Sequence, residues 1–281
     1  MGRTGSSRVR HSSCQQSRVM AYHLGMTTAP RSFEEARAMV AGDLGVEMSK
    51  YPLRFACAAY FGVPPAEGEA LAVNNGTATL LRLKDKPVVL TCSHVLQGYR
   101  DRTALNPMCV FQVGDCAFDP VAQLAKEDVA LDFAVIEVTE EQAAAIASTA
   151  GDLERSFLEP KPWPPASVKP GEFIAFGGYP GELRRATSFT ELSFGSFSSG
   201  ASMVDTVRDD YLVTKFERDF WVQHEIEPEP DFIGGLSGGP AFVLRHSAAA
   251  GIMTYEFIGH VYEFSKNYEL LYIRLATSLG M

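Results

Sequence analysis

The run Gly234-Gly235-Leu236-Ser237-Gly238-Gly239-Pro240 decides how the rest of this 281-residue chain is read. It sets four glycines, a serine and a proline between the acidic stretch Glu225–Asp231 and the apolar strand candidate Ala241–Leu244. Glycine reaches backbone angles that clash for other residues, so the run can turn tightly and aim its N–H groups inward. A serine held there is exposed, and the N–H groups of Gly235 and Ser237 can converge on one point. Such a pair of donors is the shape of an oxyanion hole, which stabilises the negative oxygen of a tetrahedral intermediate. A plain Gly/Ser turn between two strands explains the same residues equally well. The decision therefore rests on a histidine and a carboxylate with the right surroundings elsewhere.

Two other readings of the run are testable at once. A phosphate-cradling loop needs Gly-Lys-Ser/Thr opening a helix; here there is no lysine, and Pro240 leads into a strand. Gly235-x-Ser237-x-Gly239 also fits the nucleophile elbow of an α/β-hydrolase-type esterase. That elbow passes from strand to helix, with an acid and then a histidine further along the chain. Gly-Gly-Pro-Ala-Phe-Val-Leu is a poor helix start, and no aspartate follows Ser237. The elbow is the weaker alternative.

Composition narrows the class. Hydrophobic residues make up 46% of the chain, enough for a substantial core. The net charge of -9 argues against a nucleic-acid surface, which needs a basic face. No run of eighteen apolar residues is present, so no transmembrane helix and no membrane partner are expected. The five cysteines (Cys14, Cys57, Cys92, Cys109, Cys116) form no CxxC pair and read as reduced, buried thiols, which favours a cytoplasmic home. Cys109 and Cys116 are placed to face each other across a hairpin, so one disulfide stays open.

Residues 1–31 hold five arginines, five serines and no acid. They lack the apolar core of a secretory signal and read as a disordered leader; an organelle transit peptide is the other reading. Ser32-Phe33-Glu34-Glu35 is a capping box that opens a helix to about Gly42. Tyr51–Phe61 reads as a strand. Thr77–Leu83, the turn Lys84-Asp85-Lys86 and Pro87–Thr91 make a hairpin. Cys109–Val113 and Leu131–Val138 are further strands, and the alanine-rich Glu140–Ala150 a short helix. Five prolines within 159–171 forbid helix and sheet interior, so that segment is a connector. Beyond it the strand candidates are Glu172–Gly177, Ser188–Phe197, Tyr211–Phe216, Phe220–His224, Ala241–Leu244, Tyr255–Phe264 and Leu271–Leu275.

Of six histidines, only His94 follows an apolar strand (Val88–Cys92) and opens a short turn. A histidine there is held by the sheet yet can face a cleft; a packed strand-end histidine is the competing account. With an ordinary pKa of about 6.5 it can take a proton from a serine. Asp132 lies in Val129-Ala-Leu-Asp-Phe-Ala-Val-Ile136, a carboxylate among seven apolar residues. Burying an unpaired charge is expensive, so it needs a dedicated partner, and an imidazole is one. A structural hydrogen bond to nearby backbone is the competing account. Asp128, beside Lys126 and Glu127, reads as solvated.

Together, His94 in Leu-Thr-Cys-Ser-His-Val-Leu, Asp132 in Leu-Asp-Phe-Ala-Val-Ile and Ser237 in Gly-Leu-Ser-Gly-Gly-Pro, in that order, resemble the trypsin-like (chymotrypsin-fold) serine peptidases, especially their disulfide-poor bacterial-type branch. Ile174-Ala-Phe-Gly-Gly-Tyr-Pro180 is similar to the segment that starts the second barrel in such proteins. The resemblance covers roughly residues 70–275 and implies an all-β fold of two packed six-stranded antiparallel barrels. Here they would carry an N-terminal helix and a short helix near 140–150. Residues 32–158 would hold that first helix and the first barrel, 159–171 the connector, and 172–281 the second barrel. The implied activity is serine endopeptidase, with catalytic residues His94, Asp132 and Ser237 and the N–H groups of Gly235 and Ser237 as oxyanion donors. It needs no cofactor and no metal, and its partner is a protein or peptide substrate. A catalytically silent double barrel that binds peptides is the alternative from another class.

The same resemblance raises two pocket candidates, Asp231 and His260. Asp231 stands six residues before Ser237, the spacing of the pocket aspartate in Arg/Lys-specific members, but it also ends an acidic loop. Glutamate-specific members use a histidine in the pocket strand, and His260 sits one residue early. A shift of one residue turns a strand side chain to the opposite face. No preferred substrate residue is named on these grounds. Where relatives often carry an aspartate before the serine, this chain has Leu236.

Overall fold

The computed structural model describes residues 38, 41–64, 72–148, 153–161, 163–165, 167–188, 191–216, 230–247 and 252–280. The elements in chain order are α1 (Asp43–Leu53), β1 (Ala56–Gly62), β2 (Val73–Leu83), β3 (Lys86–Thr91), α2 (Ser93–Leu105), β4 (Val110–Val113), β5 (Cys116–Ala117), β6 (Leu124–Asp128), β7 (Phe133–Glu137) and α3 (Glu140–Ser148). They continue with β8 (Phe173–Gly178), β9 (Arg184–Ala186), β10 (Leu192–Phe194), β11 (Phe197–Val207), β12 (Tyr211–Lys215), β13 (Pro240–Ser247), β14 (Ile252–Ser265) and β15 (Leu270–Leu275).

The β2–β3 hairpin turns on two residues. Lys84 and Asp85 take φ of 49° and 66°, the primed type of turn whose twist matches that of the flanking strands. Lys86, expected in the turn, already pairs with Leu83. The hairpin sits inside a seven-stranded antiparallel sheet of order β5-β4-β1-β2-β3-β7-β6. Strands β11-β12-β15-β14-β13-β8 close into a six-stranded barrel. The fold is thus mostly β, as expected. The second half closes with six strands, while the first is a half-barrel with two open edges.

Each half has its own core. Leu80, Val89, Leu96, Phe111, Ile136 and Ile146 are among the buried residues of the first. Ile174, Phe176, Leu212, Val243, Val261 and Ile273 fill the barrel. A third cluster, with Leu81, Leu90, Phe133, Phe242 and Phe257, joins the two halves back to back. That contact fixes β3 and β7 relative to β13 and β14, and so fixes whatever stands at their ends.

Several local expectations shift. Tyr51–Leu53 finish α1, and the strand starts only at Ala56. A short apolar run does not by itself distinguish a buried helix end from a strand. Here Tyr51 packs its ring against Phe55, Phe242 and Tyr255. The helix near 140 holds, and a Thr139–Gln142 capping box opens it: Thr139 N donates to Gln142 Oε1 (2.8 Å) and Gln142 N to Thr139 Oγ1 (3.2 Å). Ser188–Phe197 breaks into β10 and the start of β11. The Ser32–Glu35 box and the strand at Phe220–His224 lie outside the described residues. Cys57, Cys92, Cys109 and Cys116 are all buried free thiols. Among the described residues no helix is long and apolar enough to cross a membrane.

Candidate active site

His94 stands in the first turn of α2, a 13-residue helix where a short turn was expected. The first N–H groups of a helix have no partner within it, and the N-cap residue Cys92 provides no side-chain cap. Asp132 fills the gap. Its Oδ1 accepts from the His94 backbone N–H at 2.9 Å, and its Oδ2 takes Nδ1 of the ring at 2.7 Å. An ionised carboxylate only accepts, so Nδ1 carries a proton, and in the neutral ring Nε2 then keeps its lone pair.

Asp132 lies in the turn before β7, not within the strand, at φ 53°. Aspartate tolerates this left-handed conformation better than most residues. Asp128 shapes the turn: its Oδ1 accepts from the Leu131 N–H at 2.9 Å, a structural role for a residue expected to be only solvated. The Asp132 side chain is 23% exposed. Burial is the largest influence on its titration and opposes ionisation. The two hydrogen bonds from His94, with the pull that His94 and His260 exert when protonated, outweigh it, and the carboxyl titrates below its ordinary value.

Glu127 was not singled out from the sequence. It accepts from Ser93 Oγ at 2.8 Å and takes a forked pair from Arg100 at 2.9 and 2.8 Å. The Arg100 hydrogen bond is the main reason its carboxyl titrates low. Ser93 and Arg100 are two helical turns apart and share a face, a signal legible only once α2 is known to be a helix. The contact ties α2 to β6 and steadies His94.

The Ser237 loop is stitched to β2 across the two halves. Thr77 N donates to Ser237 O (2.8 Å), Thr77 Oγ1 to Gly235 O (2.7 Å) and Thr79 Oγ1 to Gly238 O (2.6 Å). The Thr77 hydroxyl also accepts from Tyr179 N at 2.9 Å. Gly181 N holds Gly234 O at 2.7 Å. In a trans peptide N–H opposes C=O, so the Gly235 N–H is turned the other way. Among the described residues the N–H groups of Gly235 and Ser237 donate to nothing, whereas Leu236, Gly238 and Gly239 N–H are all paired. Gly235 and Gly238 take φ of 103° and 95°. A Cβ on Gly238 would come within 1.9 Å of Thr77 O, so only glycine fits there. Leu236 is buried in the barrel core.

Two cavities meet at Ser237. One, of about 230 Å³, is lined by His94, Ser237 and Gly235 together with Phe61, Asn75 and Val95. The other, of about 210 Å³, opens between the Ser237 loop and β14. His94 and Ser237 thus share a cleft, but among the described residues no hydrogen bond joins them. The Asp–His contact is made and the His–Ser contact is open.

The two pocket candidates lie elsewhere. Asp231 is exposed, and its N–H and that of Phe232 donate to Glu182 at 3.3 and 2.7 Å. His260 is fully buried behind Asp132, its Nε2 3.5 Å from Asp132 O. Burial pushes its pKa down to about 4, against the opposing pull of Asp132. Cys92 Sγ, a His94 ring nitrogen and an Asp132 oxygen lie within 4.8 Å of one another, a set of metal-ligand types. Nδ1 and the carboxylate already bind each other, and burial, then the Asp132 charge, push the Cys92 thiol up. The cluster is therefore spoken for by its own hydrogen bonds.

Several solved structures resemble the chain. A protease from M. tuberculosis in its active form matches at 14% identity and TM-score 0.42, over 86% of this chain and 83% of that one. A Glu endopeptidase in complex with MPD matches at 14% and 0.39, over 78% and 84%. An inactivated protease paralogue of the scabies mite matches at 11% and 0.41, over 82% and 92%. No curated protein matches the chain. The model of the trypsin-like peptidase domain matches residues 74–252, a span holding His94, Asp132 and Ser237 and more than half of the chain. The protein belongs to the trypsin-like peptidase domain family.

Proposed function

We propose that this peptidase is a serine endopeptidase in which Ser237 is the nucleophile, His94 the general base and then acid, and Asp132 the residue that orients His94. The carrying observation is the double hydrogen bond of Asp132 to His94, on the wall of a cavity that His94 shares with Ser237. The undonated N–H groups of Gly235 and Ser237 support it as the oxyanion donors.

The steps follow from those groups. Nε2 of His94 takes the Ser237 hydroxyl proton as Oγ bonds to the peptide carbonyl carbon. The carbonyl electron pair moves onto oxygen, which the Gly235 and Ser237 N–H groups receive. Collapse breaks the C–N bond, and the amine leaves with the proton from Nε2. Water then attacks the acyl-enzyme, again giving a proton to Nε2. The second collapse returns it to Oγ and releases the carboxylic acid.

We read residues 32–158 and 172–281 as two halves joined by 159–171. One then supplies His94 and Asp132, and the other Ser237. A fluorophosphonate probe tests the reading: it should label the native chain and leave Ser237→Ala unlabelled. Ser237→Ala should also lose peptide turnover while keeping its fold. Labelling of Ser237→Ala would move the nucleophile elsewhere. An unlabelled native chain that still binds peptides would favour the silent barrel.

A further inference from the structure

We propose that the cavity beside Ser237 on β14 selects an apolar or aromatic residue on the acyl side of the scissile bond, with Phe232 as the specificity-determining side chain. The inference rests on the serine-peptidase reading and adds a substrate class to it.

Proton transfer assigns the two cavities. His94 must hand its proton to the departing amine, so the leaving half of the substrate lies on the His94 side of Ser237. The cavity lined by His94 is therefore the leaving-group side. The other, of about 210 Å³, includes Ser237 but not His94 and takes the acyl half. It is smaller than the roughly 300–1,000 Å³ of a site for a whole drug-sized ligand, so it suits one side chain.

Its walls are apolar: Phe232, Ile233, Leu236, Val261, Tyr262 and Phe264. Glu263 is the one charged residue among its described lining, and it is exposed. Asp231 does not line it. An acidic side chain entering this cavity would meet no cation among its described lining and only the Ser237 and Tyr262 hydroxyls as side-chain donors, and burying a charge so poorly paired is costly. A basic side chain would have only Glu263.

Phe232 forms one wall although it is exposed. The Glu182 carboxylate receives the Asp231 and Phe232 N–H groups, anchoring the backbone. The Phe232 ring lies across Gly234, where an added Cβ would meet Cε1 at 2.1 Å. Lys266 Nζ stands over the ring, 5.9 Å from its centroid. Yet the residue is 52% exposed. A large aromatic at a cavity, its backbone anchored and half its surface in water, gains when an apolar side chain covers it.

The test is a set of peptide substrates alike except at the acyl-side residue, carrying Phe, Leu, Ala, Lys or Glu. Phe or Leu should lead Lys and Glu in kcat/KM by roughly tenfold or more. Phe232→Ala should lower the Phe-to-Ala ratio of kcat/KM by about tenfold, and Phe232→Leu should restore part of it. The ratio cancels any general loss of active enzyme. Fluorophosphonate labelling runs alongside. If the native chain labels but prefers Glu, or prefers Lys in a way that Glu263→Gln removes, this proposal is overturned and the serine reading stands. An unchanged ratio in Phe232→Ala also overturns it. No labelling and no cleavage of any substrate overturns both.

Discussion

At the scale of single residues, Asp132 and the His260 behind it behave oppositely. Asp132 itself is a better acceptor when charged, because it serves both the helix N-terminus and the ring of His94. Asp132→Asn keeps the volume but offers an N–H where Nδ1–H needs an acceptor, so the ring settles in the wrong tautomer. Turnover should fall by roughly 10⁴-fold, read as kcat at neutral pH. His260 is neutral and buried, with its pKa pushed down to about 4. The unfolded chain takes up that proton near 6.5, so between pH 6.5 and about 4 it binds more protons than the fold does. Stability therefore falls as pH falls through that window and is flat in this residue above it. From pH 7 to pH 5 the loss should be about 2 kcal/mol. Asp132 and Glu127, whose values are lowered from 3.8 and 4.5, keep their contributions above those ordinary values and lose them as pH falls below them. Urea unfolding of His260→Gln at the two pH values should show a flatter dependence than the native chain; equal slopes would refute the assignment.

At the scale of elements, β2 holds the Ser237 loop through one hydroxyl. Thr77 Oγ1 donates to Gly235 O and accepts from Tyr179 N. It thereby fixes the peptide that follows the Gly235 N–H. Thr77→Val matches the shape but strands both partners, each at a cost of about 1–3 kcal/mol. Losing an oxyanion donor outright costs about 10²–10³ in kcat. A loosened donor should cost less, about tenfold or more, with KM nearly unchanged. Thr77→Ser retains the hydroxyl and should recover most of kcat. If Thr77→Val lowers the melting temperature but leaves kcat intact, the stitch is structural only.

At the scale of the whole molecule, the residue just before the serine offers no charge that could pair with a freed N-terminal ammonium. Leu236, just before the serine, is buried in the barrel core. An ammonium buried there unpaired would cost several kcal/mol, so we expect no activation by a freed N-terminus. The loop is instead held by Thr77, Thr79 and Gly181 from outside it. A chain starting at Met26 should react with a fluorophosphonate at the same rate as the full chain. Labelling that begins only after trimming would contradict this.

Much of this was written locally. The Lys84-Asp85 turn, the Thr77–Leu83 and Pro87–Thr91 arms and most strands of the barrel follow from turn chemistry and apolar runs, which act between near neighbours. His94, Asp132 and Ser237 each carry a local signature: a strand end, a lone carboxylate among apolar residues, a glycine run. Other features depended on packing. Tyr51–Leu53 turn helical against aromatic partners on β13 and β14, and the run at Ser93 is a helix because Asp132 caps it from 38 residues away. Glu127 and Thr77 gain their roles from contacts 27 to 158 residues distant in the chain. His260 and Asp231 sat at suggestive spacings, yet one is sealed inside and the other faces water. Sequence alone determined which residues have the chemistry, because side-chain type and backbone freedom are local. Only the tertiary structure decided which of them meet, because burial and hydrogen-bond partners are set by the far ends of the chain closing on one another.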